Sequence, residues 1–186
     1  GKITGLWCHT TADHGGFDAC ADPTKFPAGF MNICTGSYDI PTAYLSVDGV
    51  YTNKAPGGVA YRCSFRVTEA AYFIERMMEV LAIELNMDAA ELRRINFIKK
   101  DQFPYTSALG WEYDSGDYHK VIDKVLAAAN YPKLITKCTQ LRKEGMMAGI
   151  GIAACLEPSG GNSSFEPLLN ENNQTTTWME SCQINI

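Results

Sequence analysis

Hydrophobic and polar positions repeat with two different periods along this chain. From about Thr68, a residue type suited to an N-cap, Ala70, Ile74, Met77, Met78, Leu81 and Leu85 recur at helical spacing and predict one apolar face. Val80 and Ile83 widen that face, so the helix is expected to be covered by neighbours, with the Met pair as core filler rather than a metal site. Asp88-Ala89-Ala90-Glu91 reads as a capping-box start to a second helix, running to about Phe97 and broken by Gln102-Phe103-Pro104-Tyr105. Ser115 is placed to cap a third, with Val121, Ile122, Val125 and Leu126 facing the core. A fourth is expected from Leu134 to about Lys143, ended by Glu144-Gly145.

Strand-like patterns lie on either side of these helices. Residues 1–11 open as a strand, and Ala43–Tyr51 reads as strand and turn, with Asp48-Gly49 as the turn. Ile150–Leu156 reads as a buried strand, and Thr177–Ile186 alternates again. Residues 12–42 and 52–67 are irregular, and residues 158–176 form a loop rich in Gly, Ser and Asn. The pattern is α+β (mixed α/β). A composition shift near residue 145 divides it into residues 1–144 and a strand-rich start of a further region, residues 145–186.

Composition narrows the functional classes. The chain has 186 residues, 46% of them apolar, which suits one or two globular domains that need no disulfides to hold a core. With 16 basic against 21 acidic residues the net charge is −5, so nothing favours binding to nucleic acid through charge. No run of 18 apolar residues and no export signal occurs in the sequence. Both ends read as strands that have been cut, so an internal fragment of a longer polypeptide is expected, carrying part of an active site. The seven cysteines are odd in number, widely spaced and without a CxxC, so free thiols are expected, six of them as small core residues.

Most constellations dissolve on inspection. Gly57-Gly58 lacks both phosphate-loop patterns, and close backbone approach is its simpler use. Asp13, His14, Asp18, Cys20 and Asp22 fit no metal-binding order, and solvated or hydrogen-bonded loop residues are expected there. His9 and His119 have no partner in sequence and receive no role, and no serine-hydrolase motif occurs. Cys63 differs. Arg62 and Arg66 flank it, Ser64 adjoins it, and a strong helix begins just after it. Positive charge and a helix N-terminus both favour thiolate, which suits a nucleophile or a soft-metal ligand. The alternative is a buried cysteine whose neighbouring arginines pair with acids elsewhere.

The segment VAYRCSFR, Val59–Arg66, resembles the active-site loop of the large subunits of aerobic carbon monoxide dehydrogenases, a branch of the xanthine oxidase family of molybdenum hydroxylases. The resemblance extends through Thr11–Pro41, Val47–Gly58, Arg66–Ala82, Phe103–Tyr105 and Gly110–Tyr118. It is strong over residues 1–130 and looser beyond about Ala148, where Glu157–Asn170 looks more like other members. Thr52–Pro56 is a feature of the whole family, whereas cysteine at position 63 marks the carbon monoxide branch and glycine is typical of aldehyde and purine hydroxylases.

The resemblance implies part of a molybdenum-cofactor-binding domain, with Cys63 as a copper(I) ligand. Carbon monoxide would be oxidised with water to carbon dioxide at a molybdenum–sulfide–copper centre, the molybdenum held by molybdopterin cytosine dinucleotide. Ser64 and Phe65 would shape the catalytic loop, and Arg62 and Arg66 would support the cofactor. The family's essential glutamate would lie beyond Ile186. The implied partners are a flavin (FAD) subunit and an iron–sulfur subunit with [2Fe-2S] clusters, in a dimer of heterotrimers. The implied compartment is the cytoplasm, including the inner face of its membrane. Two rivals remain at this stage: a hydroxylase of aldehydes or heterocycles with Cys63 incidental, and a non-catalytic scaffold subunit of the same fold.

Overall fold

The architecture follows from how the longest amphipathic segment is buried. A computed structural model describes residues 1–16, 33–55, 67–157 and 183. Helix α1, Val67–Glu84, buries Ala70, Ile74, Met78 and Ala82, a spacing of four that puts them on one face. Full burial of a side chain such as Ile74 contributes roughly 1.5–3 kcal/mol. The predicted widening of that face is not realised, because Val80 and Ile83 stay exposed, and Leu85, expected on the face itself, lies past the helix end and is exposed too. Thr68 lies inside the helix, not before it, and its hydroxyl donates to Glu69 rather than capping a backbone N–H.

Helix α2, Ala89–Asn96, starts as the sequence indicates, with the Asp88 side chain accepting from the N–H groups of Ala90 and Glu91. Helix α3 covers Tyr118–Ala128 and α4 covers Tyr131–Lys143. The α3 cap is Asp117, whose carboxylate accepts from Lys120 N, and not Ser115. Gly116 explains the delay: a Cβ there would lie 2.7 Å from Phe103 Cζ, so the chain must first pass close to that ring. Helix α4 begins three residues before the predicted Leu134, with Pro132 in its first turn, where a missing N–H costs nothing.

Strands β1, Leu6–Asp13, and β2, Ala43–Val50, form a two-stranded sheet. The bonds Leu6 N to Thr42 O and His14 N to Val50 O advance in the same sense, so the strands run parallel. Asp48-Gly49 therefore stays in the strand and does not turn. Glycine is used there for space, since a Cβ would lie 3.0 Å from His14 Nε2. A short antiparallel pair, β3 (Tyr105–Thr106) and β4 (Glu112–Tyr113), closes around Ser107 and Gly110. Two-residue strands leave no periodicity for a sequence reading to detect.

The expected strand at Ile150–Leu156 is absent: residues 151–157 have no regular structure. The backbone groups of Ile152 are satisfied by side chains instead, its N–H by Glu79 Oε1 and its C=O by Arg93 Nη2. The loop expected at 158–176 and the alternating Thr177–Ile186, Gln183 apart, lie outside the described residues.

The chain divides into two compact units. One comprises Gly1–Leu6, Thr35–Ala43 and Tyr72–Cys155, and holds a core of Ile3, Leu6, Tyr38, Ile40, Ile74, Met78, Leu92 and Phe97 among others. Tyr38 and Phe97 stack there with ring centroids 5.4 Å apart. The other comprises Trp7–Cys34, Tyr44–Ala71 and Leu156–Ile186, with Cys8, Ala12, Ile33, Cys34 and Leu45 buried among its described residues. Among the described residues, no helix is long and apolar enough to cross a membrane.

Candidate functional site

The sequence-predicted site residues Arg62, Cys63, Ser64, Phe65 and Arg66 lie outside the described residues, as does Gly57-Gly58. What the structure describes is how the chain is held on either side of them, at residues 51–55 and from Val67 onward.

The upstream side is tied to the end of β1. Asp13 Oδ1 accepts from Gly15 N at 2.8 Å and from Thr52 Oγ1 at 2.7 Å. Asp13 Oδ2 pairs with Lys54 Nζ at 3.2 Å. Backbone bonds run alongside, from Thr52 N to Gly15 O at 2.8 Å and from Gly16 N to Lys54 O at 3.1 Å. Gly15 adopts φ +70, a left-handed conformation suited to glycine. The Thr52 hydroxyl first, then the Gly15 N–H and Lys54, hold the Asp13 carboxyl below its ordinary value. Sequence reasoning placed Asp13 among solvated or hydrogen-bonded loop residues; the second description is correct.

The downstream side is the start of α1, and that helix is fixed by a buried charge network. Arg93, fully buried on α2, meets Glu75 Oε2 at 2.9 Å and Glu79 Oε1 at 3.0 Å. It also donates to the carbonyls of Ala89 and Ile152. Tyr38 Oη donates to Glu75 Oε1 at 2.6 Å. Burial works against the Arg93 charge, but the surrounding Tyr38, Glu75 and Glu79 outweigh it and raise its pKa. Burial, and then Glu75, push the Tyr38 phenol up. This network joins α1, α2, Tyr38 and residue 152, and none of it was anticipated. A buried arginine in an amphipathic helix looks in sequence like any exposed one.

The thiols separate by environment. Cys8, Cys34 and Cys138 are buried, as expected for core residues, and burial pushes the Cys34 thiol up. Cys155 is exposed, which corrects its assignment to the core, because the segment carrying it is not a strand between neighbours. Cys20, Cys63 and Cys182 lie outside the described residues. His9, given no role, is a sheet residue, with Nδ1 2.8 Å from Ser46 Oγ and Nε2 3.5 Å from Asp48. His119 Nε2 lies 3.0 Å from Arg94 O.

Among the described residues no group of three or more His, Cys, Asp or Glu side chains could hold a metal ion. Asp13 is engaged as above, and Asp18, Cys20 and Asp22 lie outside. A cavity of about 430 Å³ in the first unit is lined by Phe97, Tyr118, Ile122, Ile152, Ala154 and Cys155, among others, with no charged side chain. Such a lining does not suit an ionic cofactor. Of the chain's thiols, Cys63 alone stands between two arginines before a helix, and that donor chemistry fits a soft metal such as Cu(I).

Comparison with known proteins bears on the rest. Residues 1–97 match the molybdopterin cofactor-binding domain. The chain is 60% identical over 167 residues to the carbon monoxide dehydrogenase large chain of Hydrogenophaga pseudoflava, covering 88% of this chain and 21% of that one. It is 66% identical over 134 residues to the large chain from Afipia carboxidovorans, covering 72% and 17%. A crystal structure of Cu,Mo-CO dehydrogenase in its carbon monoxide reduced state matches with a TM-score of 0.72 and 60% identity, over 79% of this chain and 19% of that one. The chain thus spans about a fifth of the length of the curated relatives it matches.

Proposed function

Because the chain belongs to the molybdopterin cofactor-binding domain family, we propose that it is a segment of the catalytic large subunit of an aerobic carbon monoxide dehydrogenase. One observation carries this reading: the cysteine form of the loop, VAYRCSFR with Cys63. The two large chains of that name, at 60% and 66% identity, support it.

Molybdopterin cytosine dinucleotide and Cu(I), when bound to the intact subunit, would supply the two-electron oxidation of carbon monoxide with water to carbon dioxide and two protons. This chain's contribution is the Cys63 thiolate as the soft donor to copper. Arg62 and Arg66 keep that sulfur anionic and steady the cofactor beside it. Ser64 and Phe65 shape the loop that carries Cys63. Residues 1–144 form the first cofactor-binding region and residues 145–186 begin the next. Electrons leave through [2Fe-2S] clusters of an iron–sulfur subunit to FAD on a flavin subunit, in a cytoplasmic dimer of heterotrimers.

The test is metal analysis of the intact holoenzyme carrying this sequence. Copper and molybdenum in equal amounts, with carbon monoxide-dependent dye reduction, are expected. Full molybdenum with no copper, and dye reduction driven by an aldehyde or heterocycle in place of carbon monoxide, would refute the reading.

A further inference from the structure

Helices α3 and α4 pack against each other and are joined by Ala129-Asn130. Residues 118–143 carry six basic side chains and one acidic one, a charge of +5 in a chain whose net charge is −5. Two of the lysines stand where a helix resists them. Lys120 lies in the first turn of α3, at the positive end of its dipole, and Lys124 follows four positions on, so like charges share one face. Both are exposed, and the nearby acids are engaged elsewhere, Asp117 with Lys100 and Asp123 with Arg94. An apolar row runs beside them. Val121 and Val125, 59% and 56% exposed, each follow a lysine by one position and edge the cavity of about 430 Å³ in the first unit. A further wall of that cavity is Ile152–Cys155, held by Glu79, Arg93 and Ser37.

Exposed apolar side chains rimmed by charge are the anatomy of a protein-binding surface. A row of like charge at its rim steers the encounter of separately folded chains and selects the partner of opposite sign. We propose that this groove is a docking surface for an acidic amphipathic helix of a partner subunit. Apolar residues of that helix enter between α3 and residues 152–155, and its carboxylates meet Lys120 and Lys124. A helix suits the site because the two rows on α3, one apolar and one charged, each repeat every four residues, as the two faces of an amphipathic helix do. Carboxylates placed there also relieve the repulsion within the lysine pair. That a partner subunit exists rests on the function proposed above.

The experiment uses the intact enzyme. Zero-length carbodiimide cross-linking, which joins a lysine amine to a carboxylate in contact with it, is read by mass spectrometry of the peptides. Lys120 and Lys124 should be joined to Asp or Glu of a partner subunit, in a segment whose apolar residues recur at helical spacing. Native mass spectrometry then follows retention of that subunit in wild type, in Lys120→Glu with Lys124→Glu, and in Lys133→Glu with Lys137→Glu. The first double variant should weaken retention by about tenfold or more. The second makes the same charge change on α4, away from the cavity lining, and should stay within about twofold of wild type. Glutamate in the first turn of α3 favours the helix, so amide exchange of Tyr118–Ala128 should show no loss of protection.

Cross-links from Lys120 and Lys124 that stay within the large subunit, or run to a second copy of it, would overturn the proposal. So would two lysines that form no cross-link and are freely acetylated in the intact enzyme. Partner retention unchanged in Lys120→Glu with Lys124→Glu, or an equal loss in the α4 variant, would overturn it as well. The two readings fail separately. An enzyme without copper removes the assigned role of Cys63, while the cross-links still decide the role of the groove.

Discussion

Replacing Arg93 with Leu removes the centre of the buried charge network and leaves its acids behind. The Arg93 side chain is 0% exposed and that of Glu75 is 6% exposed, so Glu75 cannot recover its lost partner from water. Glu79 is 21% exposed and can turn partly to solvent, so most of the penalty falls on Glu75. Breaking a buried pair by deleting one member typically costs about 3–5 kcal/mol. The carbonyls of Ala89 and Ile152 lose a donor as well, which places Arg93→Leu toward the upper half of that range. At 1.4 kcal/mol per factor of ten, 3–5 kcal/mol is roughly a 150- to 4,000-fold loss of protection.

The assay is amide exchange in the α2 peptide, Ala89–Asn96, of the intact subunit, where exchange reports local opening. Adding Glu75→Gln to Arg93→Leu should restore part of the loss, because a neutral amide still accepts from Tyr38 Oη without an uncompensated charge. A loss of protection under tenfold, or no recovery in the double variant, would refute the reasoning that α1 and α2 are joined by paired buried charge.

Two further outcomes follow from single carboxylates. Asp88→Ala removes the α2 cap and should cost about 1 kcal/mol in local stability, read by exchange at Ala90 and Glu91. The same variant should lower the Tyr131 phenol, which burial and the Asp88 hydrogen bond push up to about 12, as measured by ultraviolet titration. Asp13 has a depressed folded pKa, so its contribution is present above the unfolded carboxylate range and is lost as pH falls through the folded value. Wild type should therefore come to resemble Asp13→Asn in amide exchange across 51–55 once the pH falls below about 4, with the two differing only above it; a difference that persists in acid would contradict this.

The long elements were legible because their patterns are long. Ala70, Ile74 and Met78 announce α1, and Asp88 with Glu91 announces α2, from spacing and cap chemistry alone. Strands were legible near both β1 and β2, but β1 starts at Leu6 rather than at residue 1 and runs on to Asp13, and β2 continues through the expected turn to Val50. Their parallel pairing was not legible, since the partners are thirty-six residues apart, as in His14 N to Val50 O. Asp48-Gly49 has the chemistry of a turn, and only the parallel neighbour, with His14 against Gly49, shows why glycine sits within a strand. Ile150–Leu156 has strand composition, yet Glu79 and Arg93 satisfy the backbone at Ile152 and no ladder forms. At the candidate site, Cys63 stood out through its flanking arginines, whereas Asp13 did not. A carboxylate that anchors Thr52 across thirty-nine positions looks in sequence like one that faces water.

Cys63→Ser in the intact enzyme addresses the central claim most directly. A hydroxyl that stays protonated near neutral pH is a poor ligand for a soft metal, while on the proposed reading a pterin-held molybdenum would not depend on that side chain. Copper and molybdenum content and carbon monoxide-dependent dye reduction are measured for wild type and variant together. The account predicts a variant that keeps its molybdenum, loses its copper and falls to background activity. A Cys63→Ser enzyme that lacks copper, keeps molybdenum and still oxidises carbon monoxide would contradict it.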